Sequence, residues 1–336
     1  MSRDTLSELL RRVRLHGAVF YYVKGYPPWV VENPHVREII PVIMPGAEHM
    51  IEFHGVVNGS CWAAIPGESP IRVEAGDVVL FPQGDPHIMS SAPGMRASSD
   101  STAFFYSQRP PQLPHTLILK DEGLTTGRLD DDQRDCATVV CGFLGLDARP
   151  FNPLLAALPR VLRVVGATPG EESWFTTLLR AVVTESDRKR PGGEAILSRM
   201  SEMLFVEALR RHVDSLREEE TGWLAGMRDP AVGRTLSLIH ERPSEPWTVE
   251  RLGEGVGLSR SSFNERFVHF IGQPPMQYLT HWRMQVASSL LLDTNAKLLD
   301  VAINVGYESE AAFSRAFKRI AGLSPGAWRK ARLVGA

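Results

Sequence analysis

Four residues in the first third of the chain carry donor atoms that could hold a divalent cation or a polar effector: His49, Glu52, His54 and, further on, His87. Residues two apart on an extended strand point to one face, so Glu52 and His54 would present a carboxylate and an imidazole side by side. Neutral imidazole nitrogens with a carboxylate suit zinc and other first-row divalent ions, with Glu52 or His49 as the third ligand. The other reading of His54 and His87 is that they line an effector pocket or pack inside a core. Cys61, Cys136 and Cys141 add a redox alternative. Cys136 and Cys141 are close enough in sequence to approach each other, yet buried cysteine behaves mostly as a small hydrophobe.

A second constellation lies near the C-terminus and suits DNA. In 298–329, Leu298, Val301, Ala302 and Val305 recur at helical spacing, Gly306 marks a turn, and Ser309 opens a second helix in which Phe313 and Phe317 stand four apart. The outer face of that second helix keeps Glu310, Ser314, Arg315, Lys318 and Arg319 free of the core, as a major-groove helix requires. The pattern recurs from Trp247, with Leu252, Val256, Phe263 and Phe267 in the apolar roles, Gly257 as the turn and Ser259 as the N-cap. Both units close on Gly followed by Pro, at Gly272 with Pro274 and at Gly322 with Pro325. Between them Met276 to Leu292 reads as one helix, with Tyr278, Trp282, Val286 and Leu290 on its apolar side. The Arg315 guanidinium can grip guanine O6 and N7 with two hydrogen bonds, and Asn264 can pair likewise with adenine. Glu265 and Glu310 either accept from cytosine N4 or cap and space their helices.

The elements that position these groups differ along the chain. From Gly17 to Val140, short runs at Ala18–Val23, Glu38–Met44, Met50–Val57, Ser60–Ile65, Ile71–Val73 and Asp77–Phe81 alternate with Pro, Gly, Asn and Ser, which predicts a sandwich or small barrel. Asn58-Gly59 reads as a hairpin turn. After Pro150 the composition turns helical, over Asn152–Val165, Glu171–Arg188 and Glu194–Leu216. The last segment mixes apolar Ile196, Met200, Met203, Leu204 and Ala208 with Glu207 and Arg211, and either covers the barrel or pairs with a second copy. Residues 217–222 read as a flexible linker. The 336-residue chain has a net charge of −2 and 43% apolar residues. Residues 229–336 hold thirteen Lys/Arg against ten Asp/Glu, a net of +3, which leaves −5 for the remainder. That modest bias fits a DNA reader rather than a histone-like coat. No stretch approaches the roughly 20 apolar residues of a membrane span, no secretion signal is present, and three cysteines make no disulfide framework, so the chain is expected in the cytoplasm.

Residues 229–332 resemble the AraC/XylS family of bacterial transcription regulators. The resemblance rests on Gly-Gln-Pro-Pro-Met-Gln-Tyr-Leu (272–279), Trp282-Arg283-Met284 and Val-Gly-Tyr-Glu-Ser-Glu-Ala-Ala-Phe-Ser-Arg-Ala-Phe-Lys (305–318). It departs from the family pattern at Gly253, where alanine is more usual, and at Gly255. Glycine costs up to ~1 kcal/mol inside a helix, so the first unit reads as the less rigid. The resemblance implies that Ser261, Asn264, Glu265, Glu310, Ala311 and Arg315 face base edges, and the full candidate DNA-binding set adds Arg260, Ser314 and Lys318. Upstream, Gly76-Asp77-Val78-Val79-Leu80-Phe81-Pro82-Gln83-Gly84-Asp85-Pro86-His87 is similar to the second cupin motif, and Glu52 with Gly59 fits the end of the first. The histidine pair that normally precedes that glutamate is missing. Cys141-Gly142 and Leu158-Pro159 match a cupin-bearing subfamily of these regulators.

The expected architecture is α+β and multidomain: a cupin-like β-barrel over 1–145, a helical connector over 146–222, and an all-α DNA-binding domain over 223–336 with helix-turn-helix units at 247–272 and 298–322. The implied partners are double-stranded promoter DNA, a small-molecule effector, a second copy of the chain and, for an activator, RNA polymerase. A divalent metal such as zinc is the candidate cofactor. Two rival readings fit the same residues: a metal-dependent cupin enzyme such as a dioxygenase, and a constitutive DNA-binding protein whose barrel only dimerises.

Overall fold

The computed structural model describes residues 4–97, 115–120, 123–126, 136–166, 173–188 and 190–333. Its strands are β1 (His16–Tyr26), β2 (Val30–Asn33), β3 (His49–Asn58), β4 (Ser60–Ala64), β5 (Ile71–Glu74), β6 (Val78–Phe81), β7 (His87–Ser90), β8 (His115–Lys120), β9 (Gly123–Thr126), β10 (Ala137–Leu146) and β11 (Leu162–Val164). The helices are α1 (Thr5–Arg12), α2 (Val36–Ile43), α3 (Pro153–Ala157), α4 (Trp174–Arg188), α5 (Gly193–Ser215), α6 (Trp223–Arg228), α7 (Pro230–Glu241), α8 (Val249–Glu254), α9 (Arg260–Ile271), α10 (Pro275–Asp293), α11 (Leu298–Asn304), α12 (Glu310–Ala321) and α13 (Pro325–Leu333). These elements form two units. One comprises residues 15–146 and 158–214, and the other residues 1–14, 147–157 and 215–336.

The first unit is built on two sheets with strand orders β11-β6-β3-β10-β1-β8-β9 and β2-β7-β4-β5. The larger is mixed, because β1 pairs antiparallel with β10 but parallel with β8. β3 lies between β6 and β10 and is buried on both faces, so both parities of its residues meet neighbours rather than water. Between the sheets, Tyr21, Val23, Trp29, Met50, Val56, Cys61, Phe81, Met89, Leu117 and Phe143 form one apolar core. The expected cupin-like architecture is present, with its described strands arranged as two sheets.

Two expected elements differ. Residues 38–44 were expected as a strand but lie in α2, where His35 Nδ1 accepts from Arg37 N at 3.2 Å and Val36, Ile39 and Ile43 are buried. The three-to-four spacing of those apolar residues outweighs their β-branched composition. The helix expected over 152–165 stops at Ala157, and Leu162–Val164 instead forms β11 against β6. Arg163 anchors that strand through Nη2 to Asp77 Oδ2 at 2.6 Å.

The second unit extends beyond the C-terminal segment. Thr5 Oγ1 on α1 hydrogen-bonds Ser237 Oγ on α7 at 3.0 Å. Gln285, fully buried in α10, accepts from Phe151 N at 3.1 Å and donates to Arg12 O at 2.9 Å. Residues 1–14 and 147–157 therefore group with the reader helices, not with the barrel and connector to which sequence alone assigned them. The stretch expected as a flexible linker is also tied down, since Gly222 N donates to Phe270 O at 2.8 Å.

Candidate functional site

On β3, Glu52 and His54 share a parity, and β7 brings His87 to them; the three donor groups lie within 4.8 Å of one another and are all buried. His54 Nε2 stands 2.7 Å from His87 Nε2, and Glu52 Oε1 lies 3.7 Å from His54 Nε2. The proton positions follow from the outer partners. His87 Nδ1 faces the Asp85 carbonyl at 3.0 Å and must donate to it, which leaves its Nε2 as an acceptor. His54 Nε2 then carries the hydrogen between the rings, and His54 Nδ1 accepts from the Cys141 thiol at 2.9 Å. Phe81 stacks on the His87 ring at 3.6 Å and fixes its plane.

Burial sets the charge of this cluster. It pushes the Glu52 carboxyl up to about 8 and lowers both imidazoles, His87 to about 4, with His87 itself adding to the lowering at His54. Glu52 is consequently protonated and both histidines are neutral at pH 7. Glu52 Oε2 has no hydrogen-bond partner. A buried carboxyl in that condition costs stability unless a proton or a cation meets it. Two imidazole nitrogens and one carboxylate are a donor set that fits a divalent transition metal. A cavity of about 30 Å3 adjoins the cluster.

His49 is not part of this group. Its odd parity on β3 turns it away from Glu52 and His54, and its Nε2 lies 2.7 Å from Pro82 O instead. The proposed approach of Cys136 and Cys141 also fails. Cys141 is in extended β10 and Cys136 directly precedes it, so five residues separate them by about 16 Å, far beyond disulfide reach. Burial raises the Cys61 thiol to about 12 and raises Cys141 as well, so neither is a ready thiolate. All three cysteines are free.

In the second unit the repeated pattern forms two helix-turn-helix units, α8–α9 and α11–α12, joined by α10. Ser259 and Ser309 cap α9 and α12 through Ser262 N and Ala312 N. The turns use Gly257 and Gly306 at φ of 72° and 80°, where a Cβ would be strained. Phe263, Phe267, Phe313 and Phe317 are fully buried, as expected. Arg260, Ser261, Glu265, Glu310, Ala311, Arg315 and Lys318 are exposed, while Asn264 and Ser314 are half-buried. Ala311, Ser314, Arg315 and Lys318 follow the three-to-four spacing of one face, opposite Phe313 and Phe317. Arg260 meets Glu250 at 3.0 Å, and Arg266 is held by Asp229, the N-cap of α7. Gly253 has a packing reason: a Cβ there would stand 3.0 Å from Leu258 O.

Residues 4–214 match the family model described as Cupin, and residues 252–331 match that of a Helix-turn-helix domain. The chain is 30% identical over 287 residues to an AraC-like transcription regulator of Streptomyces lividans, covering 84% of this chain and 88% of that protein. The chain belongs to the AraC family of transcription regulators. The HTH-type transcriptional regulator AlkR of Acinetobacter baylyi is 28% identical over 331 residues, 97% of this chain and 99% of the relative. Among solved structures, the DNA-binding domain of AdpA in complex with a target DNA matches 32% of this chain and 95% of its own, at 31% identity and a TM-score of 0.30. The relatives are regulators rather than enzymes, so the dioxygenase reading is set aside. No described helix is long and apolar enough to cross a membrane.

Within this AraC-family chain, two residues that sequence reasoning passed over sit at the cupin cavity. Trp29 and Asn33 line it together with Val31, and Trp29 Nε1 and Asn33 Nδ2 have no partner. The alternation Trp29-Val31-Asn33 was a usable signal for one shared strand face.

Proposed function

We propose that this chain is a cytoplasmic, sequence-specific promoter-binding regulator whose DNA affinity responds to a divalent metal, such as zinc, held by Glu52, His54 and His87. The observation that carries this reading is the convergence of three buried donor groups, one with an orphaned carboxylate oxygen, beside a cavity of about 30 Å3. That space suits an ion or a few water-sized atoms, whereas drug-sized organic ligands take pockets of roughly 300–1,000 Å3. A divalent cation would supply the positive charge that a buried Glu52 carboxylate needs in order to lose its proton.

The chain's own residues supply the coupling. Glu52 and His54 belong to one sheet and His87 to the other, so shared ligation ties the two sheets together. Cys141, which touches His54, lies on β10, and β10 pairs with both β3 and β1. The chain leaves β10 directly into residues 147–157 and enters β1 directly from α1, and both of these segments are clasped by Gln285 on α10. α10 joins the two DNA-reading units. Any bias passed along this route changes DNA affinity by the coupling free energy and no more.

A second copy of the chain is proposed to pair along α5, where Ile196 and Met203 are 45% and 43% exposed. A twofold antiparallel pairing centred on Met203 brings Arg199 opposite the partner's Glu207 and Met200 opposite the partner's Val206, so the face is complementary to itself. An activating role would add RNA polymerase as a contact.

The test is footprinting on DNA selected from the source genome by the purified protein, with added zinc against a chelator. Protection should change between the two conditions, and Arg315→Ala should relax discrimination at one base by ~1–3 kcal/mol. Identical protection with and without zinc ends the metal-responsive reading and leaves a constitutive DNA binder.

A further inference from the structure

The cavity beside the metal cluster has three polar atoms without partners, all on residues at most 4% exposed: Trp29 Nε1, Asn33 Nδ2 and Glu52 Oε2. Its remaining wall is mostly apolar, with Val23, Val31, Met89, Leu117, Leu119 and Val139. Unpaired buried donors are costly, and two such donors around one cavity demand an acceptor. Asn33 is the direct cross-strand partner of His87, and directly opposed residues on an antiparallel pair project to the same side with Cβ atoms about 5 Å apart. The Asn33 amide therefore sits beside the cation donors rather than in a separate part of the cavity. Trp29, the residue just before β2, also lines the cavity and supplies the second N–H.

We propose that the site binds a small oxyanion, of the formate or bicarbonate class, together with the cation, and that this anion is the effector's second component. The inference rests on the metal reading above. One oxygen of the anion would face the cation, and the Trp29 Nε1–H and Asn33 Nδ2–H groups would donate to the anion. With the cation bound Glu52 would lose its proton, and the cation would offset that carboxylate charge so that an anion is not repelled. The cavity of about 30 Å3 limits the ligand to a few non-hydrogen atoms, so formate should bind more tightly than acetate.

The experiment uses the full-length protein loaded with cobalt, whose visible bands report coordination, titrated separately with formate, bicarbonate and acetate. Metal affinity is measured in parallel by competition with a chromophoric chelator. Wild type should show a saturable band change with formate. Asn33→Ala, which removes the donor without filling the cavity, should hold metal affinity within about threefold and weaken formate at least tenfold, and Trp29→Phe should act in the same direction. Metal binding with no anion response, the result expected if ordered water fills the cavity, overturns the oxyanion proposal and leaves the metal reading intact. An unchanged formate response in Asn33→Ala also overturns it. Failure of wild type to bind cobalt or zinc at all removes both.

Discussion

Two buried histidine networks, one in each unit, use similar parts in different surroundings. In the reader, Trp223 Nε1 donates to Tyr278 Oη at 2.8 Å, so the Tyr278 hydroxyl must donate to His240 Nε2, also at 2.8 Å. His240 further stacks on Trp282 at 3.7 Å between ring centroids. That chain is packed among stacked rings, although His240 Nδ1 and Trp282 Nε1 lack hydrogen-bond partners. In the cupin unit, His54 and His87 are equally buried, but their neighbours Glu52, Asn33 and Trp29 keep unpaired atoms beside open space. Burial and a lowered imidazole pKa are common to both sites and do not separate them. Both also hold unpaired atoms, so what separates them is space: those of the reader lie among stacked rings, whereas those of the cupin unit border a cavity that a ligand could enter.

The largest test of this contrast removes ligands. His54→Ala combined with His87→Ala should lower zinc affinity by at least about a hundredfold, beyond the cost of losing an outer-shell partner, with chelator competition as the measurement. His240→Phe should leave zinc affinity unchanged, and an equal loss from both variants would erase the distinction.

Stability gives the next contrast. Tyr278→Phe strands Trp223 Nε1 and His240 Nε2 and should cost about 1–3 kcal/mol in urea unfolding. Glu52→Leu should instead leave the metal-free protein as stable or more so, because it removes an unpaired carboxyl. A Tyr278→Phe variant with wild-type stability would show that the reader network is not the tightly coupled one.

The pH response differs by sign. Burial lowers His240 to about 3, so the unfolded chain binds the extra proton between about 6.5 and 3, and stability falls as pH falls through that window. His87, lowered to about 4, acts in the same direction. Glu52 is raised to about 8, so above the unfolded carboxyl value the folded state holds the extra proton and stability falls as pH rises toward 8. Between pH 6.5 and 7.5 the metal-free protein should lose up to ~1.4 kcal/mol per pH unit, and Glu52→Gln should remove that slope. Urea midpoints across this range are the measurement, and a slope that survives Glu52→Gln assigns it elsewhere. The smallest effect is expected at Cys141, where loss of the thiol beside His54 in Cys141→Ala should weaken zinc about tenfold and Cys141→Ser should restore most of it.

The reader was legible because its determinants are local. Apolar residues three and four apart, Ser259 and Ser309 as caps, and Gly257 and Gly306 as turns each act within a few residues, and the repeat states them twice. Glu52 with His54 was legible for a similar reason, since a period of two needs only a strand. His49 was misjudged because sequence proximity ignores parity, and residues 38–44 because β-branched composition competed with helical spacing. The 147–157 segment and α1 were assigned away from the reader because their partner Gln285 lies more than a hundred residues along the chain.

From sequence alone came the family, the double DNA-reading unit with its outward Arg315, and the Glu52, His54 and His87 set, all of which rest on short-range periodicity and motif spacing. Tertiary structure alone decided that His49 stands apart, that Cys136 and Cys141 cannot meet, and that Trp29, Asn33 and Glu52 share one cavity with unpaired atoms. The physical reason is that a hydrogen bond's absence is a property of the whole surroundings. Periodicity can aim a side chain, but only the packed fold determines whether anything meets it.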